Sequence, residues 1–178
     1  MTDTAAPRAQ DFDHLVGTWT ELRSAPYPVS LDTVRRFVQG AMLPDGVYGN
    51  DAAEIVARYG GVVAPPLFPL SVFVRPLGTP DPLDRFATED DWDAAGGLDV
   101  FALPKLETVL AKSLNGGTEA RPIRLARVGD VISCQARYLD ITPREGRSGP
   151  MLFVRIEARY VDQHGDDLLR TVRTIIRR

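Results

Sequence analysis

The last third of the chain alternates apolar and polar residues with a period of two. Ile132, Cys134, Ala136 and Tyr138 alternate with Ser133, Gln135 and Arg137, and Leu152, Val154, Ile156, Ala158 and Tyr160 alternate with Arg155, Glu157 and Arg159. Successive side chains of a strand point to opposite faces, so this pattern specifies half-buried strands with one face on a core. Asp162-Gln-His-Gly-Asp166 turns the chain into a last strand from Leu168 to Arg178. Upstream, Gly116-Gly117 precedes a strand over 118–125, Val128-Gly-Asp130 makes a turn, and 143–150 is a Gly- and Arg-rich loop. Connections this short join antiparallel strands.

The first half has a different period. Residues 15–22 are β-prone, and Pro26 and Pro28 end that run. Ser30 is placed as an N-cap for Leu31, Val34, Phe37, Val38 and Ala41 at helical spacing, with Asp32 in the first turn and Gly40 and Pro44 at the close. A second helix starts at Asn50 or Asp51, where Asp51 and Glu54 imitate a capping box. Ala52, Ile55, Val56 and Tyr59 lie on one face, and Gly60-Gly61 form the stop. Residues 62–77 are apolar but interrupted by proline, and Pro65-Pro66 can open a further helix. Residues 78–97 form a surface excursion with Trp92 as a packing anchor, and 103–114 fits a short helix or a strand. Helices first and a strand meander last give an α+β fold, with residues 1–10 a flexible tail and 11–178 one domain.

Composition narrows the function. Apolar residues are 44% and charged residues 25% of 178, as expected for a soluble globular domain, and the net charge of −3 argues against nucleic acid as a partner. Residues 1–100 hold seven arginines and fifteen acids, a balance of −8, whereas residues 101–178 hold fourteen cations and nine acids, a balance of +5. The basic half can face either the acidic half or an anionic ligand. Cys134 is the only cysteine, which leaves no disulfide or thiolate cluster and fits a cytoplasmic location. The N-terminus is not a signal peptide, and no stretch is long and apolar enough for a membrane span.

Several segments together resemble the MaoC-like dehydratases. They are Tyr59-Gly-Gly-Val-Val-Ala-Pro-Pro-Leu-Phe68, Asn115-Gly-Gly-Thr-Glu, Arg121-Pro-Ile-Arg, Val128-Gly-Asp-Val-Ile, Glu145-Gly-Arg-Ser-Gly-Pro-Met and Thr174-Ile-Ile-Arg-Arg178. The chain is most similar to the N-terminal-dehydratase-domain branch, related to the dehydratase region of fatty-acid synthase. The resemblance implies a hot-dog fold, an antiparallel sheet wrapped around a central helix, usually assembled as a dimer of hot dogs. It also implies type-2 enoyl-CoA hydratase or 3-hydroxyacyl-thioester dehydratase chemistry in lipid metabolism. The coenzyme A or acyl-carrier thioester is the substrate, and no cofactor or metal is required.

In that family an Asp and a His of a Gly-Asp-x-Asn-Pro-x-His motif hold a water and move its proton, while a backbone amide polarises the thioester carbonyl. Here the corresponding stretch is Pro44-Asp-Gly-Val-Tyr-Gly-Asn-Asp51, in which Asp45 stands for the Asp and Tyr48 for the His. Pro-Asp-Gly is equally a common turn, and Tyr48 equally a core or rim residue. Leu67 supplies the candidate amide, since Pro65 and Pro66 have none. Gly116 and Gly117 either admit a thioester or mark a bulge, and Arg121 and Arg124 can meet coenzyme A phosphates or sit at solvated strand ends. His14 and His164 are the only histidines, and neither is near this motif in sequence.

Three readings follow. The chain is a hydratase subunit with a degenerate loop that pairs with a catalytic MaoC-like chain, or a self-sufficient homodimer using Asp45, or a non-catalytic acyl-CoA-binding or assembly module.

Overall fold

The protein was analysed as a computed structural model, which describes residues 8–44, 48, 53–89, 101–110 and 112–178. A 3-10 helix over Ala9–Leu15 leads into an extended segment and a two-residue strand, β1 (Arg23–Ser24). Helix α1 (Leu31–Gly40) and helix α2 (Ala53–Tyr59) follow. Four long strands complete the chain: β2 (Ser113–Pro122), β3 (Ser133–Gly146), β4 (Gly149–Val161) and β5 (Asp167–Arg177). They form one antiparallel sheet in the order β1-β3-β4-β5-β2.

The alternation seen in sequence sets the layers. Cys134, Ala136, Tyr138 and Ile141 of β3 join Leu152, Val154, Ile156, Ala158 and Tyr160 of β4 and Leu169 of β5 in one buried cluster. Val34 and Val38 of α1 belong to the same cluster, so the helix lays its apolar stripe on this face of the sheet. Ser30 caps α1 as expected: its Oγ accepts from Thr33 N–H at 3.2 Å, and Asp32 pairs with Arg35 and Arg36 at 2.7 Å each.

Several boundaries differ from the sequence expectation. Of the β-prone run over 15–22, Leu15 ends the 3-10 helix and residues 16–22 pass beside β3 without joining the sheet as a full strand, with Gly17 and Thr20 donating to Tyr138 and Ala136 carbonyls at 2.9 and 2.8 Å. The expected loop over 143–150 is instead the tip of the β3–β4 hairpin, with pairing kept from Pro143↔Leu152 to Gly146↔Gly149. Pro143 lies beyond the part of β3 flanked by residues 16–25, where a missing amide is tolerated, and Pro150 sits at a strand start. The Pro65-Pro66 pair leads into a short 3-10 helix, Phe68–Ser71, and residues 101–110 form neither helix nor strand. Trp92, the start of the second helix and Ala52 on its face lie outside the described residues.

Candidate active site

In sequence, the 44–51 stretch and the Ala-Pro-Pro segment both lie between Phe37 and Phe68. Phe37 on α1 and Phe68 meet edge to face with ring centroids 5.5 Å apart, a contact worth about 0.5–1.5 kcal/mol beyond area burial. Between them, Val63 and Ala64 are pinned to residues 126–128. Ala64 N–H donates to Ala126 O at 2.8 Å, and Val128 N–H donates to Val62 O at 3.1 Å. Pro65, Phe68 and Pro69 are fully buried, so the Ala-Pro-Pro segment is a fixed wall rather than a loose loop.

Asp45 lies outside the described residues. Tyr48 is half-buried and packs against the core cluster. Leu67 is exposed at the start of the 3-10 helix, and its carbonyl accepts from Leu70 N–H at 3.1 Å. Phe68 N–H is consumed by Pro65 O at 3.0 Å, whereas Leu67 N–H has no acceptor among the described residues. An amide in that state is chemically able to bind a thioester carbonyl.

The Gly116-Gly117 pair marks a bulge where the β2–β5 register shifts. A Cβ at Gly116 would come 2.8 Å from Thr174 Cγ2, and Gly117 has φ +107 with open space above it. Asn115 Oδ1 accepts from Gly117 N–H at 3.0 Å and braces the bulge. Two different constraints therefore select glycine at adjacent positions, close approach at the first and a left-handed backbone at the second.

The two arginines singled out in sequence differ in surroundings. Arg124 is paired with the buried Asp162, which also accepts from the N–H groups of His164 and Asp166 at 2.9 Å each. Burial works to raise the Asp162 pKa, but those N–H groups and the Arg124 guanidinium outweigh it and hold the carboxyl below its usual range. Arg121 is exposed, has no ion pair among the described residues, and stands opposite Arg170 of β5, which shares Asp167 with Arg159.

The two histidines lie on other elements. His14 lies in the first 3-10 helix beside a cavity of about 250 Å³ that Lys105 and Glu107 also line. His164 is exposed in the β4–β5 turn. A larger cavity of about 430 Å³ lies between residues 18–23 and Ala102 and Pro104. Neither cavity is lined by a residue singled out for the site. Cys134 is buried in the core, as its place in the alternation implied. Among the described residues no group of three His, Cys, Asp or Glu is placed to hold a metal ion, and no helix is long and apolar enough to cross a membrane.

Comparison with solved structures places the chain among α+β hot-dog proteins. One is the ChsH1–ChsH2 complex of Mycobacterium tuberculosis, at TM-score 0.65 and 21% identity over 89% of this chain and 83% of that one. Another is the MaoC-like dehydratase of Rhodospirillum rubrum, at TM-score 0.56 and 19% identity over 89% and 92%. The HadBC (3R-hydroxyacyl-ACP dehydratase) complex of M. tuberculosis matches at TM-score 0.55 and 15% identity over 88% and 94%. A curated relative, the UPF0336 protein of Thermobifida fusca, is 22% identical over 85% of this chain and 84% of its own length. The model of the FAS1-like dehydratase domain region matches residues 14–171, and the chain belongs to that family.

Proposed function

We propose that this chain is the non-catalytic half of a hydratase or dehydratase acting on acyl thioesters, paired with a MaoC-like chain that supplies the Asp and His. The observation that carries the reading is the position of the two histidines. Both lie on exposed surface, in the first 3-10 helix and in the β4–β5 turn, and neither of the two cavities described above joins a histidine to Tyr48 or Leu67. A tyrosine hydroxyl is a weaker general base at neutral pH than an imidazole. Proton transfer to and from the α-carbon and the hydroxyl therefore needs a group from elsewhere. In this reading the half contributes the pocket wall, the Leu67 amide and room for the acyl chain, and the exposed Arg121 meets a carrier phosphate.

Two of the structural neighbours are, by name, complexes of two chains. Support for pairing also comes from β2, a ten-residue edge strand exposed along its whole length. Long bare edges are normally protected or used.

Co-expression with a MaoC-like chain that carries the intact motif should give a stable heteromer. It should hydrate enoyl-CoA, while this chain alone should give no turnover above background. A purified homodimer that turns over, and loses that turnover in Asp45→Asn, would replace this reading with the self-sufficient enzyme. Acyl-CoA binding without turnover in any combination would leave a binding module.

A further inference from the structure

The helix-facing side of a sheet is ordinarily its apolar side. Along β5 that side carries Leu169, Thr171, Arg173, Ile175 and Arg177, which stand opposite Tyr160, Ala158, Ile156, Val154 and Leu152 of β4, all buried. Leu169 and Thr171 are buried too, but Arg173 is exposed. Arg177 is half-buried, and its Nε is shielded from solvent without a hydrogen-bond acceptor. Neither guanidinium meets a carboxylate among the described residues. Beside them the same side of β2 presents Thr118, Ala120 and Asn115, uncovered and neutral. Two cations and a shielded donor on the core-facing side, next to a bare edge, are arrangements that cost stability in an isolated chain.

We propose that the β2 edge is completed by a strand from a different chain, one that carries carboxylates on its helix-facing side against Arg173 and Arg177. This rests on the pairing reading above and adds that charge makes the pairing heteromeric. A second copy fits poorly. A two-fold contact along β2 would align β5, β2, β2 and β5 in one sheet, with the two β5 strands about 14 Å apart at a strand spacing of about 4.8 Å. Two facing arginine side chains cover most of that gap. Such a dimer would place four guanidiniums on one face, where neither β2 has an acid, since Glu119 lies on the opposite side with Val172. An acidic partner strand brings attraction, an acceptor for Arg177 Nε and main-chain pairing together, while the arginines repel the wrong partner.

The chain itself provides the test. Self-association of the wild-type protein and its association with an Arg173→Glu/Arg177→Glu variant are measured by sedimentation equilibrium at low and high salt. The mixed pair should associate at least about tenfold more tightly than the wild type with itself at low salt. Salt should weaken the mixed pair and strengthen wild-type self-association. The single Arg173→Glu variant, altered only at an exposed residue, should show the same direction if the double variant fails to fold. Equal affinity of the wild type for itself and for the variants, or no mixed association at all, overturns the proposal. Coenzyme A binding that the variants abolish, without any mixed pairing, would make the arginines a phosphate site and also overturn it. Failure here is read in association constants, whereas failure of the pairing reading is read as turnover by the chain alone.

Discussion

Replacing Gly116 by alanine separates a packing role from a ligand role at this position. The added Cβ would sit 2.8 Å from Thr174 Cγ2 and 3.1 Å from both Thr174 Cβ and its carbonyl oxygen. Relief needs a shift of about 0.7 Å or more to reach an ordinary carbon separation of about 3.5–4.0 Å. Overpacking typically costs about 1–3 kcal/mol, and the open edge at β2 can yield, which puts the expected cost at about 1–2 kcal/mol. With a urea m-value of about 2 kcal/mol/M, the unfolding midpoint should fall by about 0.5–1 M. Thr174→Ser removes the nearest atom, Cγ2, so the Gly116→Ala/Thr174→Ser double variant should recover about half of that loss or more. An unchanged midpoint in Gly116→Ala, or a loss that the second substitution does not relieve, would refute the packing argument. Lost thioester binding at unchanged stability would instead show that the glycine makes room for substrate.

Substitutions at three further residues test the basic end of the sheet. Asp162→Ala removes the acceptor for two backbone N–H groups and the partner of Arg124, and should destabilise by about 2–4 kcal/mol, with Asp162→Asn costing less because an amide oxygen can still serve the turn. Because the folded-state pKa of Asp162 is lowered, its contribution is fully present above the unfolded value of about 3.9 and disappears as pH falls through the folded one. Acid titration of wild type and Asp162→Asn should therefore converge below that window, and curves that stay parallel would remove Asp162 from the account. Arg124→Ala should lower the unfolding midpoint, while Arg121→Ala should leave stability within about 0.5 kcal/mol and weaken coenzyme A binding by calorimetry. Unaltered binding in Arg121→Ala would take Arg121 out of the ligand site.

The strands were legible because their alternation records a single requirement, one face on a core. The observed burial of β4 follows the sequence pattern residue by residue from Leu152 to Tyr160. The cap at Ser30 was equally readable, being a local bond between a hydroxyl and an amide three residues on. The hairpin tip over 143–150 was hidden because proline and glycine signal breaks only where a ladder amide is needed. The roles of Arg121 and Arg124 were not separable in sequence. The pairing of Arg124 depends on Asp162, thirty-eight residues away, and on a turn whose amides hold that carboxylate.

The places where local rules fail share one physical explanation. Arg173 and Arg177 share the parity of Leu169 and Ile175, a break in the apolar pattern that is visible in the sequence and gains meaning only when β2 beside it is found uncovered. The 44–51 stretch holds no histidine, whereas Val63, Ala64, Pro65, Phe68 and Pro69 of the Ala-Pro-Pro wall are buried. A chain that had merely drifted from function would be expected to lose the buried wall along with the proton-transfer groups, since nothing would maintain either. Here the wall and the bulge fitted to Thr174 are intact, and the Leu67 amide has no acceptor among the described residues. Among the described residues the breaks in the apolar pattern at Arg173 and Arg177 sit beside the exposed edge strand, where the proposed second chain would meet this one.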